Sequence, residues 1–115
     1  MGRTVLIVDD HAGFRSAARA FLQAGGFEVV GEAADGRSAV EAVRRLRPDV
    51  ILLDVKLPDI DGFAVAAELP ADLPRVVFTS SRGIASYRRR LAANPAWSFI
   101  AKSNITVEAL AAAVA

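Results

Sequence analysis

Three carboxylates directly follow two apolar segments that have the character of buried strands. The apolar run 50–53 ends on Asp54, and the run 5–8 ends on the adjacent pair Asp9 and Asp10. If the two strands are parallel neighbours, their carboxyl ends lie at one edge of the sheet, and the three carboxylates meet there. Carboxylates crowded in this way raise each other's pKa unless a hard cation such as Mg²⁺ holds them together. The pattern therefore predicts a divalent metal site.

A hydroxyl and an ammonium group end two later apolar runs in the same manner. Thr79 and Ser80 follow one of these runs, and Lys102 follows the other. Carboxylates, a metal, a hydroxyl and a lysine together form the inventory for phosphoryl transfer. The metal and the lysine neutralise the charge on the phosphoryl oxygens, the hydroxyl donates a hydrogen bond, and one carboxylate attacks. Asp54 is the natural nucleophile of this set.

The spacing of the apolar runs predicts an α/β fold that brings these strand ends together. Five short runs, many of their residues β-branched or aromatic, lie at 5–8, 29–30, 50–53, 76–78 and 99–101. The segments between them have helical periodicity, with helices expected from after residue 10 to 24, between 36 and 46, and at 62–69, about 84–93 and 106–114. This alternation matches the doubly wound, flavodoxin-like parallel sheet of order 2-1-3-4-5, with helices on both faces.

Composition limits the classes of protein to which the chain can belong. With 115 residues, 53% of them hydrophobic, the chain has the length and apolar content of one domain. A formal net charge of +1 gives no indication of a nucleic-acid or membrane surface. The absence of cysteine excludes disulfides and thiolate metal sites. No apolar stretch has the length of a membrane span, so we expect a soluble, cytoplasmic protein without membrane contact.

The chain resembles the receiver domains of two-component response regulators over essentially its whole length. Four motifs at strand ends carry the resemblance: Val8-Asp9-Asp10, Leu53-Asp54-Val55-Lys56-Leu57-Pro58 with Asp61-Gly62, Phe78-Thr79-Ser80, and Lys102. Each motif is common alone, but their joint occurrence in this order makes the match specific. The resemblance implies a single receiver domain over residues 1–115 that acts as a signalling switch and not as a turnover enzyme.

The resemblance also assigns a phosphoacceptor and a metal shell. Asp54 would accept a phosphoryl group from the phosphohistidine of a sensor histidine kinase. Asp10, Asp54 and the backbone carbonyl of Lys56 would ligate Mg²⁺, and Asp9 would act mainly through a bound water. We further hypothesise that the Lys56 side chain lies against the phosphoryl group, hinders attacking water and slows loss of the phosphate.

A switch is implied at the other end of the phosphate site. Thr79 and Lys102 would bind the phosphoryl group, with Ser80 as an additional phosphate-binding candidate. The Thr79 hydroxyl would move toward the phosphate, and Phe99, three residues before the lysine, would turn inward. The face formed by the fourth helix, fifth strand and fifth helix would then change shape and contact a partner or a second copy of the chain. Because Phe99 has no hydroxyl, it would transmit this change by packing alone.

Three shorter motifs look most like receivers joined to a C-terminal helix-turn-helix DNA-binding domain. They are Val8-Asp9-Asp10-His11, Val30-Gly31-Glu32-Ala33 and Arg47-Pro48-Asp49-Val50. We therefore expect regulation of transcription, with DNA bound only through an output domain that lies outside this chain. A stand-alone receiver is the less favoured alternative.

Two other functions remain compatible with the sequence. A small Mg²⁺-dependent phosphatase or hydrolase would use similar groups, although 115 residues leave little room for a substrate pocket and a lid. A receiver-like interaction module controlled without phosphate is suggested by the unusual loop 94–98 and by Lys102-Ser103, where many family members have lysine-proline.

Several conspicuous residues have a structural interpretation as well as a functional one. Asp10 could cap the first helix, and Asp59 and Asp61 are expected to shape the turn before the third. His11 receives no role. The arginine run 88–90 is expected to be mainly a solvated face.

Overall fold

A five-stranded parallel sheet forms the centre of the molecule. The computed structural model describes residues 3–72 and 74–115. The strands are β1 Thr4–Val8, β2 Glu28–Ala33, β3 Val50–Asp54, β4 Arg75–Ser80 and β5 Ser98–Ala101. Their order is β2-β1-β3-β4-β5, and all neighbours pair in parallel. The sequence prediction of a doubly wound sheet is confirmed.

Helices cover both faces of this sheet. They are α1 Ala12–Ala24, α2 Gly36–Leu46, α3 Gly62–Ala67, α4 Arg88–Leu91 and α5 Val107–Ala113, with 3-10 turns at Ile84–Ser86 and Lys102–Asn104. Residues of α1 and α5 pack in one apolar cluster, and residues of α2 and α3 pack in a second cluster on the opposite face. The central strands are therefore enclosed from both sides.

Burial on both faces explains the uninterrupted apolar runs. Residues 5–8 of β1 and 50–53 of β3 are all fully buried. Successive side chains of a strand point to opposite faces, so Leu52 packs beneath α1 and α5 whereas Leu53 packs beneath α2 and α3. Each such burial stabilises the fold by roughly 1.5–3 kcal/mol. These strands are the rigid frame from which the site residues project.

Three helices begin at side-chain caps. Asp35 caps α2, Asp61 caps α3 and Thr106 caps α5, each by accepting a hydrogen bond from the backbone N–H three residues later. The expected role of Asp61 in the turn is thus confirmed. The residue that precedes α1 is His11, and its side chain makes no capping bond. Asp10 is therefore not the cap of the first helix.

The prediction of one continuous fourth helix over about 84–93 is wrong. The structure has a 3-10 turn, then Tyr87 with φ −126°, then the single turn of α4. Tyr87 is the only buried residue between positions 81 and 90. A segment with one buried position lacks the apolar stripe that holds a longer helix against a sheet.

Other element boundaries differ by smaller amounts. The third helix ends at Ala67 instead of residue 69, and the fifth covers Val107–Ala113 instead of 106–114. Helix ends commonly vary by one or two residues. The second strand covers Glu28–Ala33 instead of the predicted pair 29–30, because residues 31–33 also pair with β1 after a register shift between Val5 and Leu6.

Candidate functional site

Polar residues from four strands meet at the carboxyl edge of the sheet. Asp9 directly follows β1, Asp54 ends β3, and Lys102 directly follows β5. Thr79 of β4 is the register partner of Asp54. Asp9 and Thr79 are fully buried, and Asp54 is nearly so. The parallel topology therefore brings together side chains that are far apart in the sequence, as predicted from the strand ends.

Lys102 is the cation of this cluster. Its Nζ lies 2.6 Å from Oδ2 of Asp9 and 3.6 Å from Oδ2 of Asp54. It also lies 4.6 Å from the centre of the Phe14 ring on α1, within cation–π distance. The ammonium thus compensates the buried charge of Asp9 and remains within reach of Asp54.

The protonation of Asp54 reflects its surroundings. Burial raises its pKa most, the charge of Asp9 raises it further, and Lys102 opposes both, so that the pKa is about 6. The backbone N–H of Lys56 donates to Asp54 Oδ1 at 3.3 Å and also stabilises the carboxylate. Asp54 is therefore a carboxylate in a pocket that favours additional positive charge.

The donor set fits a divalent cation. Asp9, Asp10, Asp54 and His11 each offer one ligand atom, and these atoms all lie within 4.8 Å of one another. The cluster holds three carboxylates, and the ammonium of Lys102 pairs with two of them, Asp9 and Asp54, so the pocket carries excess negative charge. Carboxylate oxygens are the ligands that Mg²⁺ prefers. Asp9, Asp10 and Asp54 are thus the residues that would hold the metal.

The two hydroxyls of β4 are placed differently. Thr79 Oγ1 is buried and has no hydrogen-bond partner among the described residues. Ser80 Oγ lies 3.1 Å from Tyr87 Oη and accepts a hydrogen bond from the Arg82 N–H. The Thr79 hydroxyl is consequently available to a ligand, whereas the Ser80 hydroxyl is already engaged with the segment that leads to α4.

Comparison with known proteins identifies the family. The family model of the response regulator receiver domain matches residues 5–115. The chain belongs to this receiver-domain family. Its sheet order and the acidic pocket at the β1–β3 edge agree with the resemblance seen in the sequence.

Several relatives share most or part of the receiver domain. This chain is 34% identical over 117 residues to the transcription regulator BvgA of Bordetella pertussis, and the match covers 100% of this chain and 56% of that protein. It is 44% identical over 77 residues to a protein-glutamate methylesterase/protein-glutamine glutaminase of Alkalilimnicola ehrlichii, covering 66% of this chain and 20% of that protein. The chain thus spans about a fifth to a little over half of the length of these relatives.

A solved receiver domain has the same architecture. The signal receiver domain of the response regulator NarL from Mycobacterium tuberculosis superposes with a TM-score of 0.83 at 32% identity, covering 98% of this chain and 96% of that chain. No helix in the described part of our receiver domain has both the length and the apolar character of a membrane span.

Hydrogen bonds fix the loop that connects β3 to α3. Asp59 accepts hydrogen bonds from the N–H groups of Gly36 and Arg37 at the start of α2, and these bonds lower its pKa to about 2. The Gly62 N–H donates to the carbonyl of Val55 at 2.7 Å. The receiver domain thereby fixes the backbone that follows Asp54, and the expected turn-shaping role of Asp59 is confirmed.

The arginine run 88–90 is only in part the solvated face expected from the sequence. Arg90 forms an ion pair of 2.9 Å with Asp61, and its guanidinium lies 4.1 Å from the centre of the Phe63 ring. Burial raises the pKa of Asp61, but the hydrogen bonds from Arg90 and the Ala64 N–H outweigh it and leave the pKa lowered. This contact joins α4 to the beginning of α3.

Phe99, one of the two residues proposed for the switch, lies beside a cluster of aromatic rings. Phe99 is half-buried, and its ring centre lies 5.8 Å from that of Tyr87. Trp97 packs within 5.2 Å of Phe78 and 5.8 Å of Phe63. Trp97 is therefore mainly a packing residue of this cluster.

Two residues of this region make contacts that were not predicted from the sequence. His11 contacts the acidic pocket, and its adjacency to Asp9 and Asp10 was an available signal. Tyr87 joins Ser80 to the Phe99 ring, but a lone aromatic in a polar segment gave no indication of that bond. Lys56 has an exposed side chain, and the participation of its carbonyl in metal binding stays a prediction.

Proposed function

We propose that this receiver domain is a phosphorylation-controlled switch whose phosphoacceptor is Asp54. The observation that carries the proposal is the position of this carboxylate. It ends a fully buried strand, shares its pocket with Asp9 and Asp10, and lies 3.6 Å from the Lys102 ammonium. A nucleophile, acidic metal ligands and a phosphate-binding cation are thus within one small volume.

The residues of the pocket divide the work of phosphoryl transfer. An oxygen of Asp54 forms a bond to phosphorus while the bond from phosphorus to the donor breaks, and its electron pair leaves with the donor. Lys102 and the free hydroxyl of Thr79 bind the phosphoryl oxygens. Asp10, Asp54 and the Lys56 carbonyl would hold Mg²⁺, with Asp9 acting mainly through a bound water, and the ion would supply the positive charge that lets the carboxylates and the phosphoryl group approach. The proposed donor is the phosphohistidine of a sensor kinase.

The proposed output is a change of the face formed by α4, β5 and α5. Thr79 and Phe99 would shift between two arrangements, and phosphorylation would act through its differential interaction with them. Similarity to the transcription regulator BvgA over the whole chain supports transcription as the regulated process. We propose that an output domain binds the DNA and that the protein is cytoplasmic. The methylesterase relative supports an enzymatic output as the second candidate. In either case the receiver itself is proposed not to turn over a substrate.

The phosphoacceptor is tested by intact mass after incubation with acetyl phosphate. Wild type with Mg²⁺ should gain one phosphoryl group, and EDTA should prevent the gain. Asp54→Asn should show no adduct, whereas Glu41→Gln, which alters an exposed carboxylate on α2, should react like wild type. An adduct that persists in Asp54→Asn would exclude Asp54 as the acceptor. A folded, metal-binding wild type without an adduct from acetyl phosphate or a kinase would favour the interaction module.

A further inference from the structure

His11 lies at the mouth of the acidic pocket and contacts two of its carboxylates. Its Nδ1 is 3.1 Å from Asp9 Oδ1 and 3.0 Å from Asp10 Oδ1. The backbone N–H of His11 also donates to Asp9 Oδ1 at 2.8 Å, which holds the residue against the pocket. The side chain is 71% exposed. The imidazole therefore covers the carboxylates from the solvent side without being part of the core.

The separation of these atoms is that of neighbouring ligands on one metal ion. Two ligands at right angles around an ion, with bonds of ~2.1 Å, lie about 3.0 Å apart. Nδ1 has this separation from one oxygen of Asp9 and one of Asp10. Asp54 completes the set, because its ligand atom lies within 4.8 Å of the other three. The four ligand atoms are thus close enough for modest side-chain adjustment to bring a nitrogen and three carboxylate oxygens onto one ion.

A second feature shows that the pocket is built for a ligand. Thr79 Oγ1 is buried without a hydrogen-bond partner among the described residues, and Thr79 is the register partner of Asp54. A buried hydroxyl without a partner is costly unless a ligand satisfies it. This observation is independent of the acidic cluster and of the contacts of His11.

We propose that His11 is a nitrogen ligand of this site, and that it raises the affinity of the site for borderline transition ions such as Zn²⁺ and Ni²⁺. Imidazole suits these ions, whereas Mg²⁺ prefers oxygen and keeps much of its water. The proposal rests on the proposed function, because it places a fourth ligand in the same acidic pocket. It makes the identity of the bound metal a property of residue 11.

The composition of the chain makes this assignment testable without ambiguity. His11 is the only histidine of the 115 residues, and the chain has no cysteine. Every imidazole or thiolate ligand for a transition ion other than His11 is therefore absent from this chain. Binding that depends on an imidazole ligand must involve this residue.

The first experiment compares metal affinities by calorimetry on the untagged, metal-stripped chain. Zn²⁺, Ni²⁺ and Mg²⁺ are titrated into wild type, His11→Ala, Asp54→Asn and the control Glu41→Gln. His11→Ala should lose at least about tenfold in Zn²⁺ and Ni²⁺ affinity while its Mg²⁺ affinity changes little. Asp54→Asn should weaken all three ions, and Glu41→Gln should weaken none. Equal Zn²⁺ affinity of wild type and His11→Ala would overturn the proposal.

The second experiment observes the ligand atom directly. Zn²⁺ should shift the ring ¹⁵N resonance of Nδ1 in wild type, and the shift should require Asp54. A response at Nε2, or an Nδ1 response that Asp54→Asn leaves unchanged, would show a surface histidine site and contradict shared coordination.

The two proposals fail in different ways. One outcome is that wild type binds Mg²⁺ and forms the phosphoryl adduct, but His11→Ala binds Zn²⁺ as tightly as wild type. This outcome would contradict only the proposal that His11 is a metal ligand. The other outcome is that wild type neither binds Mg²⁺ nor forms the adduct, but still binds Zn²⁺ through His11 and Asp54. This outcome would contradict the assignment of Asp54 as phosphoacceptor and support the metal site.

Discussion

Without a bound cation, the ionised form of Asp54 lowers the stability of the folded protein. Its pKa is about 6 in the folded chain, compared with an ordinary value of 3.8. The folded state therefore binds the proton of the Asp54 carboxyl more tightly than the unfolded state does. Protonation of Asp54 stabilises the fold fully below the unfolded pKa of 3.8, and this stabilisation is lost as the pH rises through 6. Asp54→Asn should then stabilise the metal-free protein by about 1–2 kcal/mol near pH 8 and leave it nearly unchanged below about pH 4.

Urea unfolding of wild type and Asp54→Asn in EDTA across this pH range measures the effect. The difference between the two proteins isolates Asp54 from the other titrating groups. Mg²⁺ should reduce the difference by stabilising wild type. A constant difference from acidic to alkaline pH would show that the charge of Asp54 is not its cause.

The Lys56 side chain is the second prediction at the scale of single residues. Lys56 follows Asp54 by two residues, its N–H donates to the Asp54 carboxylate, and its side chain is exposed. An ammonium lying against the phosphoryl group would hinder attacking water. Lys56→Ala should therefore lose phosphate several-fold faster than wild type, whereas Lys56→Arg should remain slow. The rate is measured by intact mass after removal of acetyl phosphate, and an unchanged rate in Lys56→Ala would contradict the hypothesis.

Among the elements, those buried on both faces were the most predictable from sequence. The run 50–53 has no polar residue because α1 and α5 cover one side of β3 and α2 and α3 the other. The segment 84–93 has no such signal, since its single buried side chain, Tyr87, is fixed by a tertiary hydrogen bond. Sequence periodicity cannot reveal a helix interrupted by that kind of contact.

Tyr87 connects this irregular segment to the end of β4. Its hydroxyl and that of Ser80 form a buried hydrogen bond of 3.1 Å, while its ring packs on Phe99. Tyr87→Phe preserves the ring packing and removes the bond, so the free energy of unfolding should fall by about 0.5–1.5 kcal/mol. Phe99→Leu, which removes an aromatic ring but no hydrogen bond, provides the packing comparison. No loss of stability in Tyr87→Phe would indicate that water replaces the bond.

Gly62 fixes the approach of α3 to the site. A Cβ added at this position would lie 2.5 Å from the carbonyl oxygen of Asp54, so the backbone would have to move. Gly62→Ala should destabilise the domain by about 1–3 kcal/mol and slow phosphorylation of Asp54. Gly13→Ala is the matched control, because nothing lies within 4 Å of its added Cβ and it lies within α1. Chemical denaturation and adduct formation measure both effects, and equal behaviour of the two variants would contradict this account.

At the scale of the whole molecule, topology made the site predictable before any side chain was placed. Parallel strands in the observed order must bring Asp9, Asp54, Thr79 and Lys102 to one edge. The pairing of Arg90 with Asp61 and that of Tyr87 with Ser80 depend instead on how loops and helix ends pack. Such contacts join residues without a shared periodicity, which is why sequence patterns did not predict them.

The last prediction concerns the association of two whole domains. Ile84 is the one exposed large hydrophobic side chain among the described residues, with 46% of its surface accessible, and it lies just before α4 on the proposed output face. If phosphorylation brings two copies together through α4, β5 and α5, this side chain should become buried between them. Sedimentation velocity with acetyl phosphate and Mg²⁺ should then show a dimer for wild type and a weaker one for Ile84→Ser.

Mass measurement of the same samples should show equal phosphorylation of Asp54 in both proteins, because Ile84 does not contact the acidic pocket. Glu41→Gln, which changes an exposed residue on α2 away from the output face, should dimerise like wild type. A phosphorylated wild type that stays monomeric would remove self-association from the proposed output. A dimer equally strong in Ile84→Ser would place the interface on another face of the domain. Weakening confined to Ile84→Ser would link the phosphoacceptor to the surface around α4, since the variant alters association without altering the chemistry.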